Sequence, residues 1–72
     1  MNTTQVRVRN LTVGDRIGNQ TVTAVGPVRI EFVGRNGRRV YYRNLWLRRA
    51  DGSARVVSWR PDTTIAVAAR EG

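Results

Sequence analysis

Five carboxylates, Asp15, Glu31, Asp51, Asp62 and Glu71, are spread along the 72 residues, and no two stand at a spacing suited to general acid–base work or to holding a metal ion. Histidine and cysteine are absent, which removes the commonest general base, the commonest metal ligand and any thiolate. Ser53 and Ser58 have neither histidine nor lysine to activate them. The stretch "GRNGRR" carries the glycines of a phosphate loop, but no helix is expected after it and the chain has no lysine. The expectation is a protein that is not an enzyme and takes no cofactor or metal. Binding is the chemistry that remains.

The residues suited to binding are cationic and aromatic. Thirteen positive residues, every one an arginine, stand against five negative ones for a net charge of +8. Coding bias in a GC-rich genome accounts for arginine in place of lysine, but not for the excess of positive charge. Such a field favours polyanions or acidic protein surfaces as partners. The segment "WLRRADGSARVVSW", residues 46–59, brackets three arginines between two tryptophans across a turn. Arg35, Arg38, Arg39, Arg48, Arg49 and Arg55 are therefore the candidate phosphate-binding rim, and Trp46 and Trp59 the candidate surfaces for stacking on or wedging between bases. DNA or RNA is the expected partner, with weak sequence preference because phosphate contacts position without specifying. The alternative is a protein-interaction module that meets an acidic host protein or forms a small virion component, since arginine and tryptophan also dominate protein hot spots.

Short β-branched and aromatic runs must position these side chains. In "QVRVRNLTV", Val6, Val8 and Leu11 fall on one side and Arg7 and Arg9 on the other. "VGDRIG" then turns the chain, with Asp15 capping its own turn. "QTVTAV" is a second strand that Gly26 and Pro27 interrupt, and "VRIEFV" sets Val28, Ile30 and Phe32 on a common face. Asn36-Gly37 and Asp51-Gly52 each predict a two-residue type I′ hairpin. Those registers place Val33 opposite Val40, Phe32 opposite Tyr41, Leu47 opposite Val56 and Trp46 opposite Val57, with Arg35 facing Arg38 and Arg48 facing Arg55. "TTIAVAAR" closes the fold with Ile65 and Val67 inward.

In these registers both faces of the meander are apolar. Ile30, Phe32, Tyr41, Leu45, Leu47 and Val56 share one face; Val33, Val40, Tyr42, Trp46, Val57 and Trp59 share the other. One small domain covers a single face from within, so the second needs an explanation. A kink or bulge at Arg43-Asn44 would turn Trp46 into the core. A homodimer would bury the Trp46, Val57 and Trp59 face on a second copy. A nucleic-acid platform would leave it open for a ligand.

The fold class expected is all-β, a single domain over residues 1–72 with five or six antiparallel strands and little or no helix. On "LTVGDRI", the two turn dipeptides and the strand count, the chain resembles the small SH3-like barrels. Among barrels of that size it is similar to the basic chromatin proteins of archaea, which bind DNA with a twisted sheet carrying aromatic and aliphatic wedges between cationic side chains; Trp46, Trp59, Val57, Arg48 and Arg55 are similar in kind. Size and arginine-only composition also resemble accessory proteins of bacteriophages with GC-rich hosts. What these resemblances imply is a small basic DNA-binding viral protein. No apolar run is long enough for a membrane span and no signal peptide is legible at the N-terminus, so no membrane partner and a cytoplasmic location, the host cytoplasm for a viral protein, are expected.

Overall fold

Alternation in the sequence becomes six strands in the computed structural model, which describes residues 2–69. The strands are β1 (Thr3–Arg7), β2 (Arg16–Ile17), β3 (Gln20–Val33), β4 (Arg38–Arg49), β5 (Ala54–Trp59) and β6 (Thr64–Ala68), with one 3-10 turn at Val8–Asn10. β1 and β6 form an antiparallel pair, and β2-β3-β4-β5 form a curled antiparallel sheet. The protein is thus the all-β small barrel that the sequence led us to expect.

Val6, Val8, Leu11, Val22, Leu45, Leu47 and Val67 are buried between the two sheets. Ile17, Val25, Val57, Trp59 and Ile65 pack against them half-covered. Asp15 behaves as its turn requires. Its carboxylate accepts from the Thr12 backbone N–H at 2.9 Å and its own N–H donates to the Thr12 carbonyl at 3.1 Å.

Gly26 and Pro27 do not end the second strand as expected. β3 runs through them, with register shifts between Val22 and Ala24 and between Val25 and Val28. Proline lacks the ladder N–H, so an irregularity is where a strand tolerates it, and each extra residue sharpens the bend of the sheet. Of the three accounts of the second apolar face, the bulge at Arg43-Asn44 is absent from β4, which is continuous from Arg38 to Arg49. The irregularities lie across from it, and Trp46 stays on the outside, 39% exposed.

Both hairpin registers differ from the type I′ expectation. At the first, Val33 pairs with Arg38, Phe32 with Arg39 and Ile30 with Tyr41. Four residues, 34–37, make the loop. Gly34 (φ +76°) and Gly37 (φ +61°) take the left-handed conformation, whereas a type I′ turn would need it at Asn36, where φ is not positive. At the second, Trp46 pairs with Val56, Leu45 with Val57, Leu47 with Arg55 and Arg48 with Ala54. The Arg49 N–H donates to the Ser53 carbonyl at 2.8 Å, closing a three-residue loop with Gly52 at φ +88°, the three-residue turn that ends in a glycine bulge. Arg35 and Arg38, and Arg48 and Arg55, are therefore not cross-strand pairs.

Parity decides what these slips do. The first hairpin moves by two residues, so Ile30, Phe32 and Tyr41 remain on one face together. The second moves by one, which turns β5 over. Val57 and Trp59 go to the core side and Val56 to the outside.

Candidate nucleic-acid interface

The paired length of β3 and β4 exceeds what the body covers. Pairing of β4 with β5 ends at Arg43 and Trp59, while pairing with β3 continues to Arg38 and Val33. Beyond Arg43 the two strands form a two-stranded arm about 20 Å long at 3.3 Å per residue, and the molecule measures 45 Å along its longest axis.

Arg43 marks the boundary. Its register places it on the face of Leu45 and Leu47, and its guanidinium reaches beneath the body. Nη1 donates to the carbonyls of Val8 (2.9 Å), Arg9 (2.8 Å) and Leu11 (3.2 Å), and Nε to that of Gly26 (2.7 Å). This arginine closes the open end of the core and satisfies carbonyls around the 3-10 turn. Past it, the face that is core in the body becomes surface. Val28, Ile30, Phe32 and Tyr41 form an exposed apolar stripe, with Phe32 66% exposed.

Arginines border that stripe. Arg39 pairs with Phe32 on the stripe side, while Arg29 and Arg38 stand on the opposite face and Arg35 sits in the tip loop. None of these four guanidinium groups has a hydrogen-bond partner among the described residues. Glu31 is the arm's one acid, paired with Val40 on the face away from the stripe. The arm combines exposed apolar area with uncompensated positive charge.

The six arginines of the expected rim fall into two groups. Arg35, Arg38 and Arg39 are at the arm tip, while Arg48, Arg49 and Arg55 are at the β4–β5 turn. Eleven residue-to-residue steps of continuous strand, about 36 Å at the usual rise, separate Arg38 from Arg49, so no single rim exists. Arg55 Nε donates to Gln20 Oε1 at 2.8 Å, and Arg49 stands close enough to Asp51 for its charge to act on that carboxylate. Asp51 accepts from the hydroxyl (2.6 Å) and the backbone N–H (2.9 Å) of Ser53. These bonds, the hydroxyl's first, hold its carboxyl below the ordinary value.

Trp46 and Trp59 do not share a platform. Trp59 packs against the core. Trp46 lies on the outer face in register with Ala24 and Val56, and a side chain at Gly26 would begin 3.5 Å from its Cζ3. The indole therefore lies across β3 at Gly26, within ordinary contact distance of a Cβ there. The candidate residues that sequence reasoning left out of the site are Arg29, Ile30, Phe32 and Tyr41. Their signal was the common apolar face that alternation on the two sides of Asn36-Gly37 gives Ile30, Phe32 and Tyr41.

Among the described residues no group of histidine, cysteine, aspartate or glutamate could hold a metal ion, and no helix is long and apolar enough to cross a membrane. Compared with models of protein families, with curated proteins and with solved structures, the chain matches none.

Proposed function

We propose that this protein is a small basic DNA-binding module whose β3–β4 arm enters a groove of the duplex. The observation that carries the reading is the arm's inner face. It exposes Val28, Ile30, Phe32 and Tyr41 with Arg39 beside them, while Arg29 and Arg38 on the reverse face and Arg35 in the tip loop have no hydrogen-bond partner among the described residues. A two-stranded ribbon fits the major groove of B-DNA, about 12 Å wide, where aromatic and aliphatic side chains meet thymine methyls. Arg35, Arg38 and Arg39 at the tip would reach the flanking phosphates, fixing orientation more than sequence. Arg48 and Arg49, about 36 Å further along β4 by strand rise, would contact phosphates roughly one helical turn away.

The test is anisotropy of a labelled 20-base-pair duplex titrated with the protein across a salt series. Arm variants Phe32→Ser and Arg35→Gln/Arg38→Gln/Arg39→Gln should each weaken binding at least about tenfold, by loss of base contact and of charge respectively. Absence of duplex binding at low salt by the folded protein would overturn the reading. The second reading, an acidic protein partner, is favoured by the extent of the apolar stripe, which exceeds what phosphate contact alone requires. It predicts arm-dependent capture of an acidic protein that persists after nuclease treatment.

A further inference from the structure

Between the arm and the body runs a groove of about 260 Å³, lined by Arg38, Arg39, Val40, Tyr41, Arg60, Pro61 and Asp62. It lies where β5 stops pairing with β4, so the edge of β4 from Arg38 to Tyr41 forms one wall and the β5–β6 turn the other. The fold brings together three arginines from segments some twenty residues apart. The one acid in the groove, Asp62, is already engaged by the Arg9 guanidinium at 2.5 Å. No side-chain hydrogen bond satisfies Arg38, Arg39 or Arg60 among the described residues. Like charges gathered on a sheet edge repel, and an anion between them removes that cost. Guanidinium groups are suited to phosphoryl oxygens, which they bind in bidentate fashion. Tyr41 adds a half-exposed aromatic ring. At this volume the groove holds the phosphate and one face of a base without enclosing them.

We infer that this groove seats a single nucleotide unit, its phosphate among Arg38, Arg39 and Arg60 and its unstacked base on Tyr41. The inference rests on the nucleic-acid reading and deepens it: the protein holds a strand end or an extruded nucleotide, with Arg38, Arg39 and Tyr41 turned to that nucleotide while Val28, Ile30, Phe32 and Arg35 of the arm stay on the duplex. The phosphate supplies most of the attraction. Stacking on Tyr41 separates a nucleotide from a bare anion, since one base on an aromatic ring is worth about tenfold or more in affinity.

Calorimetric titration at low salt with thymidine 5′-monophosphate, inorganic phosphate and thymidine tests the seat. The monophosphate should bind about tenfold more tightly than phosphate, and thymidine should not bind. Arg60→Gln should weaken the monophosphate at least about tenfold, because a charge-assisted bidentate contact is lost. Tyr41→Leu should bring the monophosphate down to the level of phosphate. A single-stranded oligonucleotide carrying a 5′-phosphate should outbind the same strand without it if the source is a strand end; equal binding of both, still sensitive to Arg60→Gln, would assign the seat to an internal nucleotide. The inference is overturned if Arg60→Gln leaves monophosphate affinity unchanged, or if Arg48→Gln/Arg49→Gln lowers it as much. Arg60 lies outside the arm, and Phe32 outside the groove. Loss of duplex binding in Phe32→Ser with monophosphate binding intact supports both readings. No duplex binding by the wild type, with the monophosphate still held, overturns the arm reading alone.

Discussion

Arg43 donates its Nε hydrogen to the carbonyl oxygen of Gly26 at 2.7 Å, tying the unbroken strand β4 to the irregular stretch of β3 that faces it. The same guanidinium gathers the carbonyls of Val8, Arg9 and Leu11. One side chain thus joins the bend of the sheet, the 3-10 turn and the root of the arm. The arm is held at its base by polar contacts because the apolar core ends there.

Replacing Arg43 by alanine should therefore destabilise the fold by about 2–4 kcal/mol, since several partly buried carbonyls lose a charged donor at once. Lysine at 43 keeps the charge but not the fork, and should recover less than about half of the loss. Urea denaturation measures both. An alanine variant as stable as the wild type would show that the four bonds contribute nothing net.

The one-residue slip of the second hairpin makes the two tryptophans unequal. Trp59→Ala should cost about 2–3 kcal/mol, somewhat below the range for a fully buried ring, whereas Trp46→Ala should change stability by less than about 1 kcal/mol. Val57→Asp should unfold the protein and Val56→Asp should not. Thermal melts of the four variants check this, and the opposite ordering of the valines would restore the type I′ register.

The two arginine groups should differ in their effect on salt dependence. Each phosphate contact contributes about −0.9 to the slope of log affinity against log salt, so removing Arg35, Arg38 and Arg39 should flatten the slope for duplex DNA by up to about 2.7. Phe32→Ser should lower affinity with the slope nearly unchanged, because a base contact releases few ions. Arg55→Gln, whose guanidinium is bonded to Gln20, should alter the slope by less than one contact. Anisotropy at four salt concentrations separates these cases.

Asp51 gives the β4–β5 turn a pH dependence. Its folded pKa lies below the unfolded value of 3.8, so its contribution to stability is fully present above that value and is lost as pH falls through the lower folded pKa. Asp51→Ala should be less stable than the wild type at pH 7. The gap should close in acid, where the wild-type carboxylate is also protonated. A gap that stayed constant down to pH 2 would mean that the Ser53 contacts do not depend on the charge.

The turn chemistry of Asp51-Gly52 shows where sequence reasoning stopped short. The dipeptide correctly marked a hairpin, and glycine does adopt a positive φ there. Two loops use that glycine, one of two residues and one of three. The choice fell to Asp51, which bonds Ser53 while keeping a negative φ. One residue of loop length then decided the side on which Val56, Val57 and Trp59 fall. At Asn36-Gly37 the loop was also longer than expected, but by an even number, so the composition of the arm's inner face was legible.

Local alternation and turn residues by themselves determined the all-β class, the inward faces of β1 and β6, the Asp15 turn and the stripe of Ile30, Phe32 and Tyr41, because each depends only on which side of a strand a residue faces. Composition determined the uncompensated positive charge. Only the tertiary structure decided that the stripe lies outside the body, that Arg43 turns inward, that Trp46 and Trp59 part to opposite sides of the sheet, and that Arg60 meets Arg38 and Arg39 across a groove. Each of those depends on where one strand stops relative to another, and strand ends are set by bulges and by long-range packing that alternation along a single segment does not encode.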